Sequence, residues 1–270
     1  MAQEQLGQSE DALQAFLKAK GSAPQSEMVQ FFIGREYLFL SEVQPDRQED
    51  FWQAAEDALQ QSITLNDQYA RAYIGLGALY KKRADDLVDV ALTSGQAVDP
   101  QAVQWIEQAI ASYQKVLELK PDPEQYGNPV EEVARLALGD AYRQKGVIAF
   151  LNGDVDSALK DFDEAIGLLE LSRPIFEASI PEHESYRRYL AQTYEYLGSV
   201  YRWQGLALET AQEYDQALTA YRKSIEAFNQ CISQGDNSVD LVIQNDIVEK
   251  TCRPTLEQTQ QTYNELIGGQ

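Results

Sequence analysis

The sequence has few of the residue types from which metal centres and disulfide-built folds are made. Its 270 residues include one histidine, His183, and two cysteines. Two cysteines are too few for a scaffold held by disulfides, and a single imidazole excludes a site with two or more histidine ligands in one chain. The segment Asp154–Asp163 superficially resembles a calcium loop, but it lacks the required Gly, and Ala165 stands where that loop needs Glu. We therefore expect neither a metal nor a cofactor.

Long apolar runs and basic residues are also scarce. No run of about eighteen apolar residues occurs, so we expect no membrane insertion, and polar residues follow Met1 where a signal peptide would be basic and then apolar. The 22 Lys and Arg are outnumbered by 43 Asp and Glu, which gives a formal charge of −21. Because nucleic-acid binding needs cations that neutralise phosphates, we expect no nucleic-acid partner. Phosphate loops, nucleophile motifs and zinc spacings are absent from the sequence, which predicts a protein that is not an enzyme.

Two short patterns alternate along the chain, and both have helical spacing. The first is a small residue, an aromatic residue or Leu four positions later, and a further small residue or Val; it occurs at Ala12/Phe16/Ala19, Ala55/Leu59/Ser62, Ala109/Tyr113/Val116, Ala158/Phe162/Ala165 and Ala217/Tyr221/Ser224. The second is an aliphatic residue, Gly, and Tyr three positions later; it occurs at Ile33-Gly34/Tyr37, Leu76-Gly77/Tyr80, Leu138-Gly139/Tyr142 and Leu197-Gly198/Tyr201. Spacings of three and four place each set on one helical face.

The recurring Gly indicates a shared packing requirement. Glycine inside a helix costs about 1 kcal/mol relative to Ala, so four glycines in one register favour a common structural reason. We expect two helices to approach closely at Gly34, Gly77, Gly139 and Gly198, with the small residues of the first pattern supplying the matching gap.

These residues resemble the tetratricopeptide repeat, a helix-turn-helix unit of about 34 residues. One stretch keeps the spacing of the family throughout: Ala12, Phe16, Ala19, Pro24, Ile33, Gly34 and Tyr37. The resemblance covers most of residues 6–230. It implies an all-α fold, a right-handed superhelical solenoid of antiparallel helix pairs, and a function as a protein-binding scaffold.

The predicted repeats are irregular in length. We assign repeats to 1–235, the first of them truncated to its second helix, and C-terminal capping helices to 236–270, predicted as 238–250 and 254–267. An insertion at about 83–98 is expected to extend one helix through Leu92 before a turn and a new helix capped by Asp99. The last two pairs are each about two helical turns longer than the family pattern.

The resemblance to the tetratricopeptide repeat implies that one arc of each helix with the Gly pattern lines a concave groove, where extended peptides lie. The positions on this arc are Met28, Phe31, Phe32, Arg35, Leu38, Phe39, Arg71, Ile74, Gly75, Ala78, Lys81, Lys82, Val133, Leu136, Ala137, Asp140, Arg143, Gln144, Gln192, Glu195, Tyr196, Ser199, Arg202 and Trp203. Six are basic and two are acidic, a net charge of +4 in a chain of −21. We therefore predict a scaffold that binds an extended or acidic segment of another protein through Arg35, Arg71, Lys81, Lys82, Arg143, Tyr196, Arg202 and Trp203.

Several alternatives stay open at this point. The basic groove residues could instead pair with Asp and Glu of neighbouring helices. The region from Phe31 to Leu40 has almost no polar side, which predicts burial all round; a bound segment, a partner chain in a homodimer through the truncated N-terminal end, or an absent upstream helix would each cover it. The second functional hypothesis is a sensor or assembly-factor region excised from a larger protein, either enzymatic or membrane-anchored.

The two cysteines bear on the compartment. We expect Cys231 and Cys252 to be free and buried, with a disulfide as the less favoured alternative. The corresponding location is cytoplasmic by default, and the protein is exported if the two cysteines are bonded.

Overall fold

The computed structural model describes residues 2–122 and 129–268, with side chains from Gly7 onward. Its α-helices in these ranges are α1 (Ala2–Ser22), α2 (Glu27–Val43), α3 (Gln48–Leu65), α4 (Ala70–Ser94), α5 (Pro100–Leu119), α6 (Val130–Leu151), α7 (Val155–Ser179), α8 (Tyr186–Thr210), α9 (Tyr214–Asp236) and α10 (Arg253–Gly268). A 3-10 turn, Pro45–Arg47, precedes α3, and a π-helix, Ile243–Cys252, runs directly into α10. None of the described residues lies in a strand, which confirms the predicted all-α class.

The two sequence patterns fall on alternate helices, as predicted. The Gly pattern lies on α2, α4, α6 and α8, here called the glycine helices, and the first pattern lies on α1, α3, α5, α7 and α9, here called the aromatic helices. Side-chain caps are present at the starts of two of the described helices. Ser26 Oγ accepts from the N–H of Val29 at 3.3 Å at the start of α2, and Asp154 Oδ1 accepts from the N–H of Ser157 at 3.1 Å near the start of α7. Such caps satisfy donors that a helix N-terminus leaves without an intrahelical partner.

Contacts within the chain divide it into two compact units. Unit 1 comprises Met1–Asp86 and Gln104–Ala134, and unit 2 comprises Leu87–Val103 and Arg135–Gln270. In unit 1, a core cluster of Leu13, Ile33, Leu40, Phe51 and Ala58 joins α1, α2 and α3. In unit 2, the largest described cluster contains Ala191, Phe228, Cys231, Ile243, Ile247, Val248 and Cys252. Each unit therefore has an apolar core of its own.

The glycines do mark close approaches of helices, but the residue that faces each one is large. A Cβ built on Gly34 would lie 2.7 Å from Cγ of Leu59, and one built on Gly77 would lie 2.5 Å from the ring of Tyr113. The large middle residue of the first pattern thus fills the notch that Gly leaves. The expectation that small residues face the glycines was wrong in this respect, although the Ala55 carbonyl oxygen lies only 3.2 Å from the built Cβ of Gly34.

The long pairs of unit 2 make this contact twice. A Cβ on Gly139 would lie 2.9 Å from Leu169 and one on Gly146 2.5 Å from Phe162. In the next pair, Gly198 faces Phe228 at 2.7 Å and Gly205 faces Tyr221 at 2.6 Å. As the residue number rises along the glycine helix, that of its partner falls, so the helices of each pair are antiparallel.

The insertion forms a longer helix and a capped turn. Helix α4 continues to Ser94, two residues beyond the predicted end at Leu92, and Gly95 follows with a φ of 69°, a left-handed conformation that glycine adopts without a Cβ penalty. Asp99 Oδ1 then accepts from the N–H of Gln101 at 2.8 Å, and Pro100 is the first residue of α5. Proline suits this position because its missing N–H would have no intrahelical partner there.

The C-terminal region differs from the predicted pair of helices at 238–250 and 254–267. The π-helix Ile243–Cys252 passes into α10 without a break, and Pro254 is the second residue of α10. In a regular α-helix, the Pro ring would clash with the carbonyl one turn earlier, and the turns that precede Pro254 are π-helical instead.

Cys231 and Cys252 form a disulfide, so the expectation of free thiols was wrong. The π-helix packs against α9 and brings the two Cα atoms to 6.5 Å, within the range that a disulfide spans. Both residues are fully buried among Phe228, Ile243 and Val248.

A separate finding concerns membranes: among the described helices, none has the length and apolar character to span a bilayer.

Candidate binding site

A cavity of about 300 Å³ lies in unit 1 beside two of the predicted contact residues. It is lined by Phe31, Phe32, Arg35, Arg71, Ile74, Val130 and Val133. Six of these seven residues belong to the arc predicted to face a groove, and Val130 is the exception. The structure therefore gathers an arginine from each of two glycine helices, α2 and α4, around apolar and aromatic side chains.

Arg35 is held in place on one side and open to solvent on the other. Its Nε and one terminal nitrogen donate to the same carboxylate oxygen of Glu36, at 3.1 and 2.6 Å. Its guanidinium carbon also lies 4.8 Å from the ring centroid of Phe32. Glu36 is buried, whereas the Arg35 side chain is 53% exposed. Because a guanidinium has five N–H donors, this arrangement orients Arg35 and leaves donors for a ligand.

The aromatic wall of the cavity is fixed by stacking. Phe32 stacks on Phe16 of α1, with ring centroids 5.0 Å apart, and Phe31 meets Tyr69 edge to face at 5.7 Å. Helix α1 and Tyr69 therefore cover part of the apolar side of α2 for which the sequence left three alternatives open. Met28, at the start of the same helix, stays 50% exposed.

The two predicted lysines of α4 each pair with an acid one turn further along the same helix. Lys81 Nζ lies 2.7 Å from Asp85, and Lys82 Nζ lies 3.0 Å from Asp86. Burial works to lower the pKa of Lys82, but Asp86, together with the negative charges of Asp85 and Glu42, raises the pKa overall. Both lysines are thus positioned as members of ion pairs, and the arc is less cationic than its own residues suggest.

The four predicted residues of unit 2 have different surroundings. Arg143 lies 2.6 Å from the nearly buried carboxylate of Asp140 in an ion pair within α6. The guanidinium of Arg202 lies 5.7 Å from the ring centroid of Trp203, and burial lowers the pKa of Arg202. Trp203 in turn packs edge to face on Phe150 at 5.9 Å, and Tyr196 is half-buried on α8. Arg143 and Trp203 therefore have contacts that stabilise the helices themselves.

Arg83 is a buried charge that the sequence patterns did not identify. Its guanidinium carbon lies 4.6 Å from the ring centroid of Trp105 and 5.4 Å from that of Trp52, and its terminal nitrogens lie 3.1 Å from Glu49 and 3.3 Å from Glu56. It was missed because it falls in the segment assigned to the insertion. The Trp and Glu residues of the two flanking aromatic helices were the sequence feature that could have predicted a buried cation here.

The alternating helix pairs define an all-α helical repeat protein. The model of the family described as tetratricopeptide repeat matches residues 102–123, and no curated protein matches the chain. The chain is similar to the crystal structure of MamA, with 17% sequence identity, 84% of this chain and 92% of that chain covered, and a TM-score of 0.45. It is also similar to the crystal structure of the APC/C hetero-tetramer Cut9-Hcn1, with 14% identity, 97% and 46% covered, and a TM-score of 0.33. The match to the tetratricopeptide-repeat model is confined to residues 102–123, and the alternating helix pairs of the described residues are consistent with a helical repeat fold of that kind.

Proposed function

We propose that the chain is a protein-interaction scaffold, and that its unit 1 cavity binds an extended, carboxylate-bearing segment of a partner protein. The observation that carries the proposal is the placement of Arg35 and Arg71 around one cavity with Phe31, Ile74 and Val133. Arg and aromatic side chains give the largest single contributions at protein interfaces. The apolar lining would take an apolar side chain of the segment, and the arginines would bind a carboxylate next to it.

The size of the cavity favours a segment over a folded surface. A volume of about 300 Å³ is at the lower end of ligand pockets in general and accommodates a few side chains. The remainder of the chain supports selection by charge, because a protein of formal charge −21 repels an acidic segment elsewhere. Binding is therefore expected to weaken as salt screens the arginines, over a distance of about 8 Å at physiological ionic strength.

A displayed library of random decapeptides, selected on the full chain, tests this proposal. We expect the enriched peptides to carry Asp or Glu beside an apolar residue. Replacing Arg35 and Arg71 together by Gln should then weaken binding of the enriched peptides about a hundredfold or more, because each lost hydrogen bond to a charged group is worth about 1.5–3 kcal/mol.

The matched control replaces Lys18 and Lys20, two exposed cations of α1, by Gln. Since the change in net charge is the same, this variant should bind the peptides as the parent does. In the Arg35 variant, Glu36 loses its ion pair, and a thermal melt checks that the variant stays folded. Enriched peptides without acids, or an equal loss in the control, would exclude the cavity as the acid-binding site.

We also infer an oxidising compartment for this region of the chain. The support is the Cys231–Cys252 disulfide, since such bonds persist mainly in oxidising environments and are rare in the cytosol. Trapping thiols in intact source cells with a membrane-permeant alkylating agent, followed by denaturation and mass measurement, tests the inference. Alkylated Cys231 or Cys252 in freshly trapped protein would contradict it.

A further inference from the structure

A long groove crosses unit 2 over α8, between α7 and α9. It consists of two cavities of about 530 and 600 Å³ that share Lys223 in their lining. The floor is a single stripe of α8: Tyr194, Leu197, Tyr201, Gln204 and Leu208. Their spacing of three and four places these residues on one helical face, and the fourteen-residue interval from Tyr194 to Leu208 corresponds to about 21 Å. The groove is thus long, and its floor is apolar or aromatic except at Gln204. Leu197, Tyr201 and Leu208 are buried, at 2%, 9% and 7% exposure, so only a small part of each side chain can contact a ligand.

The walls of this groove are strongly acidic. Its lining contains six carboxylates and two cations: Asp163, Glu170, Glu177, Glu213, Asp215 and Glu226, with Arg173 and Lys223. Arg173 pairs with Glu170 at 2.9 Å and with Glu177 at 3.7 Å, so its charge is already offset. Lys223 Nζ lies 5.1 Å from the ring centroid of Tyr201 and makes no ion pair with a described carboxylate. The net charge of the lining is −4.

Carboxylates from both walls act on the centre of the floor. The pKa of Tyr201 is raised first by burial and then by the negative charge of Glu170, with Asp163 and Glu226 acting in the same direction and Arg173 opposing them. Glu170 and Asp163 belong to α7, whereas Glu226 belongs to α9. A cation placed over Tyr201 would therefore be attracted from both sides.

The corresponding groove of unit 1 shows that the fold does not require this charge. There α4 forms the floor between α3 and α5, and the cavity has a similar volume of about 590 Å³. Its lining contains one acid, Glu56, and one base, Lys115. Glu56 already accepts from Tyr80 at 2.8 Å and from Arg83 at 3.3 Å. The shape recurs with the helix pairs, but the acidic walls belong to unit 2.

We propose that the groove of unit 2 binds an amphipathic, lysine- or arginine-bearing helical segment of a partner protein. The floor matches the apolar stripe of such a helix, and the acidic walls match cations that flank the stripe on either side. A groove of about 21 Å accommodates roughly four helical turns. Nucleic acids and anionic lipid headgroups carry the wrong sign of charge for these walls. The proposal rests on a different surface from the unit 1 cavity and does not depend on it.

Anisotropy of a fluorescein-labelled peptide on the full chain tests this proposal. The probe is a fourteen-residue amphipathic helix of leucine and lysine, about as long as the floor of the groove. Replacing Asp163 by Asn and Glu170 and Glu226 by Gln should weaken binding roughly tenfold in total, because three exposed ion pairs are lost. Gln204 donates to Asp163 at 2.8 Å, and the amide of Asp163→Asn keeps an acceptor oxygen for this bond, so the fold should be retained.

A charge-matched control separates the groove from the general acidity of the chain. It replaces Glu182, Glu257 and Glu265, three exposed acids of unit 2 outside the groove, by Gln. We expect this control to bind the probe nearly as well as the parent. An equal loss in both triple variants would overturn the proposal, because it would mean that the peptide follows net charge alone.

The sign of one further change decides between a basic and an acidic ligand. Lys223 stands in the middle of the groove, where it would repel a basic helix. Lys223→Gln should therefore strengthen binding of the leucine–lysine peptide, and a leucine–glutamate peptide of the same length should not bind. Weaker binding of the basic probe to Lys223→Gln, with the fold intact by circular dichroism, would overturn the assignment.

Discussion

Replacing Gly198 by Ala should destabilise the protein, although alanine is the better helix former. A Cβ at this position would lie 2.7 Å from two ring carbons of Phe228 and 2.8 Å from a third. The ring has little room to move, because Phe228 is fully buried and packs with Ile243 and Val248. The backbone is also held, since Ser224 donates to the carbonyl oxygen of Gly198 at 2.7 Å.

The expected magnitude follows from two opposing effects. Overpacking of a filled core costs about 1–3 kcal/mol, whereas Gly to Ala in a helix gains about 1 kcal/mol from helix propensity. Gly167 of α7 isolates the second effect, because it is exposed and a Cβ there would meet nothing within 4 Å. Helix propensity cancels between the two variants, so Gly198→Ala should be less stable than Gly167→Ala by about 1–3 kcal/mol.

Urea unfolding of both variants, followed by far-ultraviolet circular dichroism, measures this difference. Gly167→Ala should raise the midpoint, and Gly198→Ala should lie below it; Gly198→Leu, which adds three more carbons, should be less stable still. If both alanine variants raise the midpoint equally, α8 and α9 do not approach closely at Gly198, and the packing argument fails.

Two further expectations concern the disulfide and a buried phenol. Reduction should lower the free energy of unfolding by about 3 kcal/mol, because the bond closes a loop between residues 21 apart and restricts the unfolded chain; equal urea midpoints with and without a reductant would contradict this. Alkaline pH should destabilise the protein, because burial and the hydrogen bond to Glu56 raise the pKa of Tyr80 from 10.0 to about 12. Stability from this phenol is complete below pH 10.0, the unfolded value, and is lost as pH rises through the folded value of about 12. Tyr80→Phe should show less alkaline destabilisation than the parent, and an unchanged pH profile of the urea midpoint would refute the assignment.

The periodicity of the sequence was sufficient to predict the helices, but it did not identify the partner of each glycine. Spacings of three and four depend only on helix geometry, so Gly34 and Leu59 were correctly placed on buried faces. Which residue meets which depends on the offset between two antiparallel helices, and that offset is fixed by packing. The same limit applies to Cys231 and Cys252, whose proximity follows from the packing of the π-helix on α9.

The candidate site was partly accessible from the sequence. Arg35 and Arg71 were predicted as contact residues because they lie on the arc opposite the packed face of their helices. The structure places both around one cavity, and their role in binding stays a prediction. The positive charge of the arc was overestimated because Asp85 and Asp86 lie just outside it. They follow Lys81 and Lys82 by one helical turn, so the lysine side chains can pair with them. Arg83 was missed because it falls in the segment assigned to the insertion, and its neighbours come from two other helices, α3 and α5.

Each long helix pair of unit 2 has two glycine contacts, and their spacing restricts the lengths that such a pair can have. Gly139 and Gly146 lie seven residues apart, as do Phe162 and Leu169, which face them. Seven residues turn an α-helix by about two full revolutions less 20°, so the second contact repeats the first on nearly the same face. Adding or removing seven residues in both helices at once therefore preserves a partner for every glycine. A change in one helix alone places a glycine opposite a side chain that does not fill the space beside it. The length of such a helix pair can therefore change only in steps of about 10 Å, which is the rise of seven helical residues.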